Sequence, residues 1–191
     1  MKTLLTLFVL LFSSSVVAED ISDFEIEGIS VGDSLLDYLP REAIVKQVAE
    51  SKDWYYYLTY DFAEVIIRSN LKIYKDVSVF VKPNDKDYLI HSIRGTIEIN
   101  DLSECLEKQK IASTEIFSLF PNSIKTEDAF PHIIDKSGKS MVYEIGFRTN
   151  EFFVTVVCTD VIKEILKENN TYNNFAVAID EKEVEDWLRD Y

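Results

Sequence analysis

Hydrophobic and polar positions alternate most clearly in four stretches of the chain. In 75–81, Val77, Val79 and Val81 share one face, and in 88–99 Leu89, Ile93, Ile97 and Ile99 do the same. A period of two is the signature of a strand with one buried face. The run Pro83-Asn84-Asp85-Lys86-Asp87 between them is rich in turn formers, so the two strands are expected to close as a hairpin. Met141, Tyr143, Ile145 and Phe147 alternate with Glu144 and Arg148. Thr149-Asn150 then turns the chain, and Phe152, Val154, Val156 and Cys158 alternate on the way back. A second hairpin follows.

Other stretches carry the helical period. Pro40 suits the first position of a helix, with Glu42 in its first turn and Ile44, Val45 and Val48 on its apolar side. That helix is expected to end near Ser51. Asp101-Leu102-Ser103-Glu104 matches a capping box, opening a helix that runs to about Phe120. Leu102, Cys105, Leu106, Ala112, Ile116 and Phe120 lie near one face of it. A short helix is expected over 161–168 and a last strand over 172–179. Asp180 then caps a terminal helix, with Glu183 at its third position and Val184, Trp187 and Leu188 on its buried side.

The remaining segments are read from residue type. Phe24, Ile26, Ile29 and Val31 mark an extended entry that Gly32-Asp33 ends, and Asp33 or Ser34 caps a helical turn bearing Leu35 and Leu36. Residues 54–60, WYYYLTY, are dense in β-favouring aromatics and read as a strand. Residues 63–68 fit either a helix or a strand, 122–131 read as irregular, and Ile133-Ile134 as a short strand. The class is α+β: an antiparallel sheet of hairpins with helices packed on one face. The recurrence of a helix followed by hairpins suggests a duplicated unit, with halves 24–100 and 101–191 inside a single domain over 19–191.

The first residues change the picture of where the chain acts. Lys2 precedes an apolar run, 4–12, that is too short to span a bilayer. Ser13-Ser14-Ser15 and Val16-Val17-Ala18 follow, with small residues where a leader is cleaved. Residues 1–18 are therefore expected to be a secretory signal peptide. Its removal from 191 residues leaves 173, enough to bury a core without a metal. No later run is apolar enough to cross a membrane, so no membrane insertion is expected after cleavage. A periplasmic or secreted protein follows.

The net charge of −14 repels phosphate backbones, so nucleic acid is a poor partner. It keeps an exported chain soluble and attracts basic proteins and divalent cations. Cys105 and Cys158 are the two cysteines. In an oxidising compartment they are expected to form a disulfide. The closed loop of about 54 residues is worth roughly 4 kcal/mol on the chain-entropy argument.

Candidate chemistry is sparse. His91 and His132 are the two histidines, with no HxH or HxxxH spacing, so neither a metal nor a cofactor is expected. His91 falls on the inward face of its strand and reads as a core histidine. Asn84, Asp85 and Asp87 lack the glycine and closing glutamate of a calcium loop. Among the aromatics of 54–60, Trp54, Tyr55 and Tyr57 are the candidate contact residues for a protein or ligand.

Gly32-Asp33-Ser34-Leu35 resembles the nucleophile block of GDSL-type esterases and lipases, which implies Ser34 as a nucleophile. The rest of that pattern is missing. Lys82-Pro83-Asn84-Asp85 stands where a G-x-N-D block is needed, and no histidine follows His132. Asp87 to His91 and Asp128 to His132 are each one residue too long for D-x-x-H. A serine without a base is not activated, so no catalytic residue is assigned.

Several pieces together resemble a family of small exported bacterial proteins of unknown function. They are the opener IEGISVGDSLLDY, the 105–120 helix, Asp135-Lys136-Ser137-Gly138-Lys139-Ser140, the strand end at Cys158, and 183–188. That resemblance implies no known activity. At the level of fold, the helix-plus-hairpin order is similar to binding modules of outer-membrane assembly lipoproteins and of β-lactamase inhibitor proteins. The expectation is a non-enzymatic periplasmic protein that binds a periplasmic or envelope partner.

Overall fold

The computed structural model describes residues 21, 24–55, 58–169 and 171–189. The expected signal peptide and Tyr57 lie outside them. The chain opens with a two-residue hairpin, β1 (Glu25–Ile26) and β2 (Ile29–Ser30). A single entry strand was the expectation from the apolar spacing. Glu27 and Gly28 instead both take positive φ, 57° and 77°, which folds the segment back on itself. The Glu27 carboxylate then accepts from the backbone N–H groups of Lys72, Ile73 and Tyr74, pinning the hairpin to a distant loop. Burial alone would raise its pKa; those N–H groups hold it below the ordinary value.

Ser34 caps the 3-10 turn Leu35–Asp37. Asp33 does not cap it. Its carboxylate accepts from Ser30 N–H and from the Tyr38 hydroxyl. Next come α1 (Arg41–Trp54), β3 (Ala63–Ile67), β4 (Asp76–Val81) and β5 (Ile90–Glu98). The second run is α2 (Leu102–Leu119), β6 (Ile124–Pro131), β7 (Met141–Arg148) and β8 (Phe152–Asp160). The chain closes with α3 (Lys163–Asn169), β9 (Asn174–Glu181) and α4 (Lys182–Arg189). Strands β3 to β9 form one antiparallel sheet in the order β3-β4-β5-β9-β8-β7-β6. The architecture is α+β, with helices packed on the sheet.

Of the expected strand over 54–60, the described residues 54, 55 and 58–60 form none. The helix passes Ser51 to Trp54, and Tyr55 N–H still donates to Ser51 O. Ile44, Val48 and Ser51 are buried at helical spacing, and this packing outweighs the β preference of the aromatics that follow. The expected irregular stretch at 122–131 is a strand, β6, paired along its length with β7. All eight of its residues are exposed, so it shows no hydrophobic alternation. Ile133-Ile134 forms a turn, not a strand, and Ile133 is 87% exposed.

Leu89 also departs from expectation, being 41% exposed. The cause is a bulge in β5. Val81 pairs with Ile90 while Phe80 pairs with Ser92, leaving His91 as the extra residue. Ile90 takes the buried place on the core face. His91 turns to the opposite side of the sheet, against the edge of the Phe62 ring.

One face of the sheet carries the main core. Val77, Val79, Val81, Ile93, Val154, Val156, Val177 and Ile179 pack there with Ile44 and Val48 of α1 and Ala112 and Ile116 of α2. Gln109 of α2 donates to the carbonyls of Tyr143 and Val156, which seats the helix on β7 and β8. Cys105 of α2 and Cys158 of β8 are joined in a disulfide, with Cα atoms 5.9 Å apart. Helix α1 closes the β3 edge. The Gln47 side chain bonds both Ile66 N–H and Ile66 O, and Ser51 Oγ accepts from Glu64 N–H.

A smaller cluster, Phe62, Phe80, Val184 and Trp187 with Tyr55, Leu58 and Leu188, sits on the other face. It holds α4 there. Asp180, expected to cap this helix, belongs to β9 and accepts from Ser92 Oγ.

Two variants test this packing. The double change Cys105→Ala and Cys158→Ala should lower stability by roughly 2–4 kcal/mol, seen as a lower urea midpoint; an unchanged midpoint contradicts the cross-link. At Gly95, an added Cβ would lie 2.5 Å from the Tyr74 ring and 2.8 Å from Ile26. Gly95→Ala should cost about 1–3 kcal/mol by overpacking. Full retention of stability would show that the β1–β2 hairpin is not seated against β5.

Candidate functional site

The aromatic run breaks up when the chain folds. Trp54 ends α1 with its side chain 45% exposed. Tyr55 turns inward, 5.6 Å from the Phe80 and Trp187 rings, and its hydroxyl donates to Glu64. It is a packing residue, and the structure separates it from Trp54. Tyr60 keeps ring surface exposed, while its hydroxyl donates to Val48 O.

Ser34 is a structural hydroxyl. Its Oγ donates to Asp87 O at 2.7 Å and accepts from Leu36 N–H. The bridge between Ser34 and Leu89 fixes it to the turn before β5. In that turn the Asp85 carboxylate accepts from Asp87 and Leu89 N–H. These bonds close a loop; none supplies a base to the hydroxyl.

The charged groups with unusual surroundings lie on the face opposite the main core. Strand register arranges them in rows. Ser92, Asp180, Phe153 and Arg148 form one row across β5, β9, β8 and β7. Arg94, Ala178, Thr155, Gly146 and Thr126 form the next, out to β6. Thr96, Ala176, Val157, Glu144 and Asp128 form the third. The middle of this face is thus floored by small side chains, with Arg94 on one side and Glu144 on the other. A Cβ at Gly146 would meet Thr126 and the Phe153 ring below 3 Å, so the floor is tight there. Among the described residues, α4 is the helix seen packing on this face.

Helix α4 adds Glu185, only 5% exposed, and Arg189. Arg148 donates to Glu185 Oε2 at 2.8 Å, and Arg189 Nε lies 3.0 Å from Oε1. Both guanidinium groups also lie over the Phe153 ring, at 4.7 and 5.5 Å from its centre.

Asp180 is in a different position. Its carboxyl is enclosed although part of the residue reaches the surface. Burial pushes its pKa up to about 6, against the Ser92 bond and Arg94, with Glu185 and Glu144 adding to the rise. Glu144 is also raised, first by burial. Arg189 and Arg94 oppose that rise, while Asp128 and Glu185 reinforce it. Two carboxyls with raised pKa beside a guanidinium mark this face as a candidate site.

A second group lies at the start of α4. His91 Nδ1 is 2.8 Å from Glu181 Oε2, and the donor atoms of His91, Glu181 and Glu183 all lie within 4.8 Å of one another. Lys82 Nζ pairs with Glu183 at 2.8 Å. His91 is therefore not a histidine of the main core; it is a partly buried group with a carboxylate partner. His132 Nδ1 accepts from Ile134 N–H within its own loop.

Sequence reasoning assigned none of Arg94, Glu144, Asp180 or Glu185 to a site. The one local signal was the spacing of Glu185 beside Val184 on the buried side of α4 and four residues before Arg189. Among the described residues, no helix is long and apolar enough to cross a membrane. No protein-family model, curated protein or solved structure matches the chain.

The Asp180 carboxyl ionises near 6 in the fold and near 3.8 in an unfolded chain. The native state therefore holds a proton that the unfolded state releases over that interval. The stability this provides is full below about pH 4 and is lost as pH rises through about 6. Asp180→Asn keeps an acceptor for Ser92. It should stabilise the protein at pH 7.5 by on the order of 1–3 kcal/mol, with no gain at pH 4. Urea titrations at the two pH values check this, and equal stability of variant and wild type at both would refute it.

Proposed function

We propose that this protein is an exported, non-enzymatic binding module that receives a partner protein or ligand on the face of the sheet bearing Arg94, Asp180 and Glu144. The observation that carries the reading is the pairing of those charged groups with a floor of small side chains. Thr155 and Ala178 keep this part of the sheet low, and Arg94 and the two carboxyls offer polar recognition beside them. Charged groups held at low solvent exposure give selectivity, because a wrong partner leaves them unpaired.

Export rests on the leader at 1–18, and a disulfide is compatible with an oxidising compartment. The absence of an activated nucleophile at Ser34 fits a binding role better than hydrolysis. Its hydroxyl is committed to a carbonyl and to a helix cap. The exposed ring of Trp54 lies at the end of α1, and Tyr55 links that region to the α4 cluster. It supplies a secondary contact at the margin.

Affinity capture from an envelope extract tests the reading. Wild type should retain a partner that Thr155→Trp, shown by circular dichroism to be folded, retains at least tenfold less, a loss of about 1.4 kcal/mol. Thr114→Trp, on the outer side of α2, should bind as wild type does. Equal recovery by wild type and Thr155→Trp, or recovery of nothing by either, sinks the proposal.

A further inference from the structure

We propose that His91, Glu181 and Glu183 form a binding site for a divalent transition-metal ion such as zinc. The inference is independent of the partner-binding face, because the metal alone is the probe. The set depends on three features of the fold. The β5 bulge turns His91 toward α4. The pairing of Ser92 with Asp180 brings the neighbouring His91 and Glu181 side by side, although 90 residues separate them. Strand β9 runs directly into α4, so Glu183 follows Glu181 by two residues on the same corner.

The distances suit an ion. Zinc holds nitrogen and oxygen ligands at roughly 2.0–2.2 Å in a tetrahedron, which places ligand atoms about 3.3 Å from one another. His91 Nδ1 and Glu181 Oε2 stand at 2.8 Å, and the full set lies within 4.8 Å. The first pair needs to open by about half an ångström, and Glu183 needs to swing inward. Its side chain is 61% exposed, and the swing exchanges its Lys82 partner for the ion. The imidazole is braced by the Phe62 ring, 5.5 Å between centres, so the fixed ligand is the one that sets direction.

The donor chemistry selects among cations. One imidazole and two carboxylates suit zinc, cobalt, nickel or manganese, whereas magnesium and calcium favour all-oxygen sets. The Lys82 ammonium now supplies positive charge at Glu183. A divalent ion replaces it and neutralises both carboxylates at once. Asp85 lies near His91 and adds to the negative field. The chain's net charge of −14 draws cations in the same direction. Three protein ligands leave the fourth position to water or to a partner's donor atom.

Isothermal titration calorimetry of the chelator-treated mature chain with zinc chloride at pH 7.5 tests the site. Saturable binding of one ion is expected, weakened at least tenfold in both His91→Ala and Glu183→Gln. Circular dichroism establishes that each variant is folded. Glu183 is exposed, so Glu183→Gln alone decides the matter if His91→Ala does not fold. No saturable binding by wild type, or a folded variant of either kind that binds within tenfold of it, overturns the proposal.

Discussion

The insertion of β9 between β5 and β8 is the pairing on which the rest of the structure depends. Each long helix precedes a three-stranded meander, β3-β4-β5 after α1 and β6-β7-β8 after α2. Neither meander touches the other directly in the sheet. β9 bonds to both, with Ile93 opposite Ile179 on one side and Val154 opposite Ile179 on the other. Its central residues, Ala176, Val177, Ala178 and Ile179, are all buried. Small and apolar residues alternate there, so one face of β9 fills the main core while the other stays low. The last strand to leave the chain thus completes the core. Contacts across such sequence distances close large loops before they stabilise anything. The Cys105–Cys158 cross-link shortens one of those loops.

The same pairing sorts the chemistry to one side. The core face takes the branched aliphatic residues and both long helices. The opposite face receives Ser92, Arg94, Asp180, Glu144 and Arg148, which no long helix covers among the described residues. Charged groups near a sheet are costly unless partnered. Glu185 has two guanidinium partners, whereas Asp180 has a serine hydroxyl and keeps a proton to higher pH. The difference between two carboxyls within one network follows from what faces each, not from depth alone.

The parts of the fold legible in the sequence were those whose burial is one-sided. The alternation of Val77, Val79 and Val81, and of Phe152, Val154, Val156 and Cys158, reports the helix-covered face directly. Both cysteines sat on apolar faces, so their cross-link could be read as well. Strand β6 was illegible because it buries nothing, and a strand held only by backbone bonds leaves no pattern. Residues 54–60 misled because β propensity describes a residue's preference, while the helix there is set by Ile44, Val48 and Ser51. The alternation holds from Ile93 onward and fails at Leu89 and His91, because one extra residue exchanged the faces there. A bulge leaves no mark in hydrophobic period until both strands are known. The candidate groups were hidden for a related reason: Arg94, Asp180 and Glu144 stand on three strands, and local spacing cannot register them. His91 and Glu181 likewise meet only through β5 and β9.

Helix α4 joins the two features of that face. It has eight residues, too few to be stable as an isolated helix. Its position comes from Val184 and Trp187 in the smaller cluster and from the Trp187 indole, which donates to Thr59 O at 2.9 Å. Glu183 stands in its first turn, while Glu185 and Arg189 reach the Arg148–Phe153 corner beside the small-residue floor. A change in charge at the first turn therefore acts on the same short element that borders the floor. Any ion that binds Glu181 and Glu183 and fixes this helix lowers the ordering cost of a partner that touches Arg148 or Arg189. By linkage, such a partner tightens the ion by the same factor.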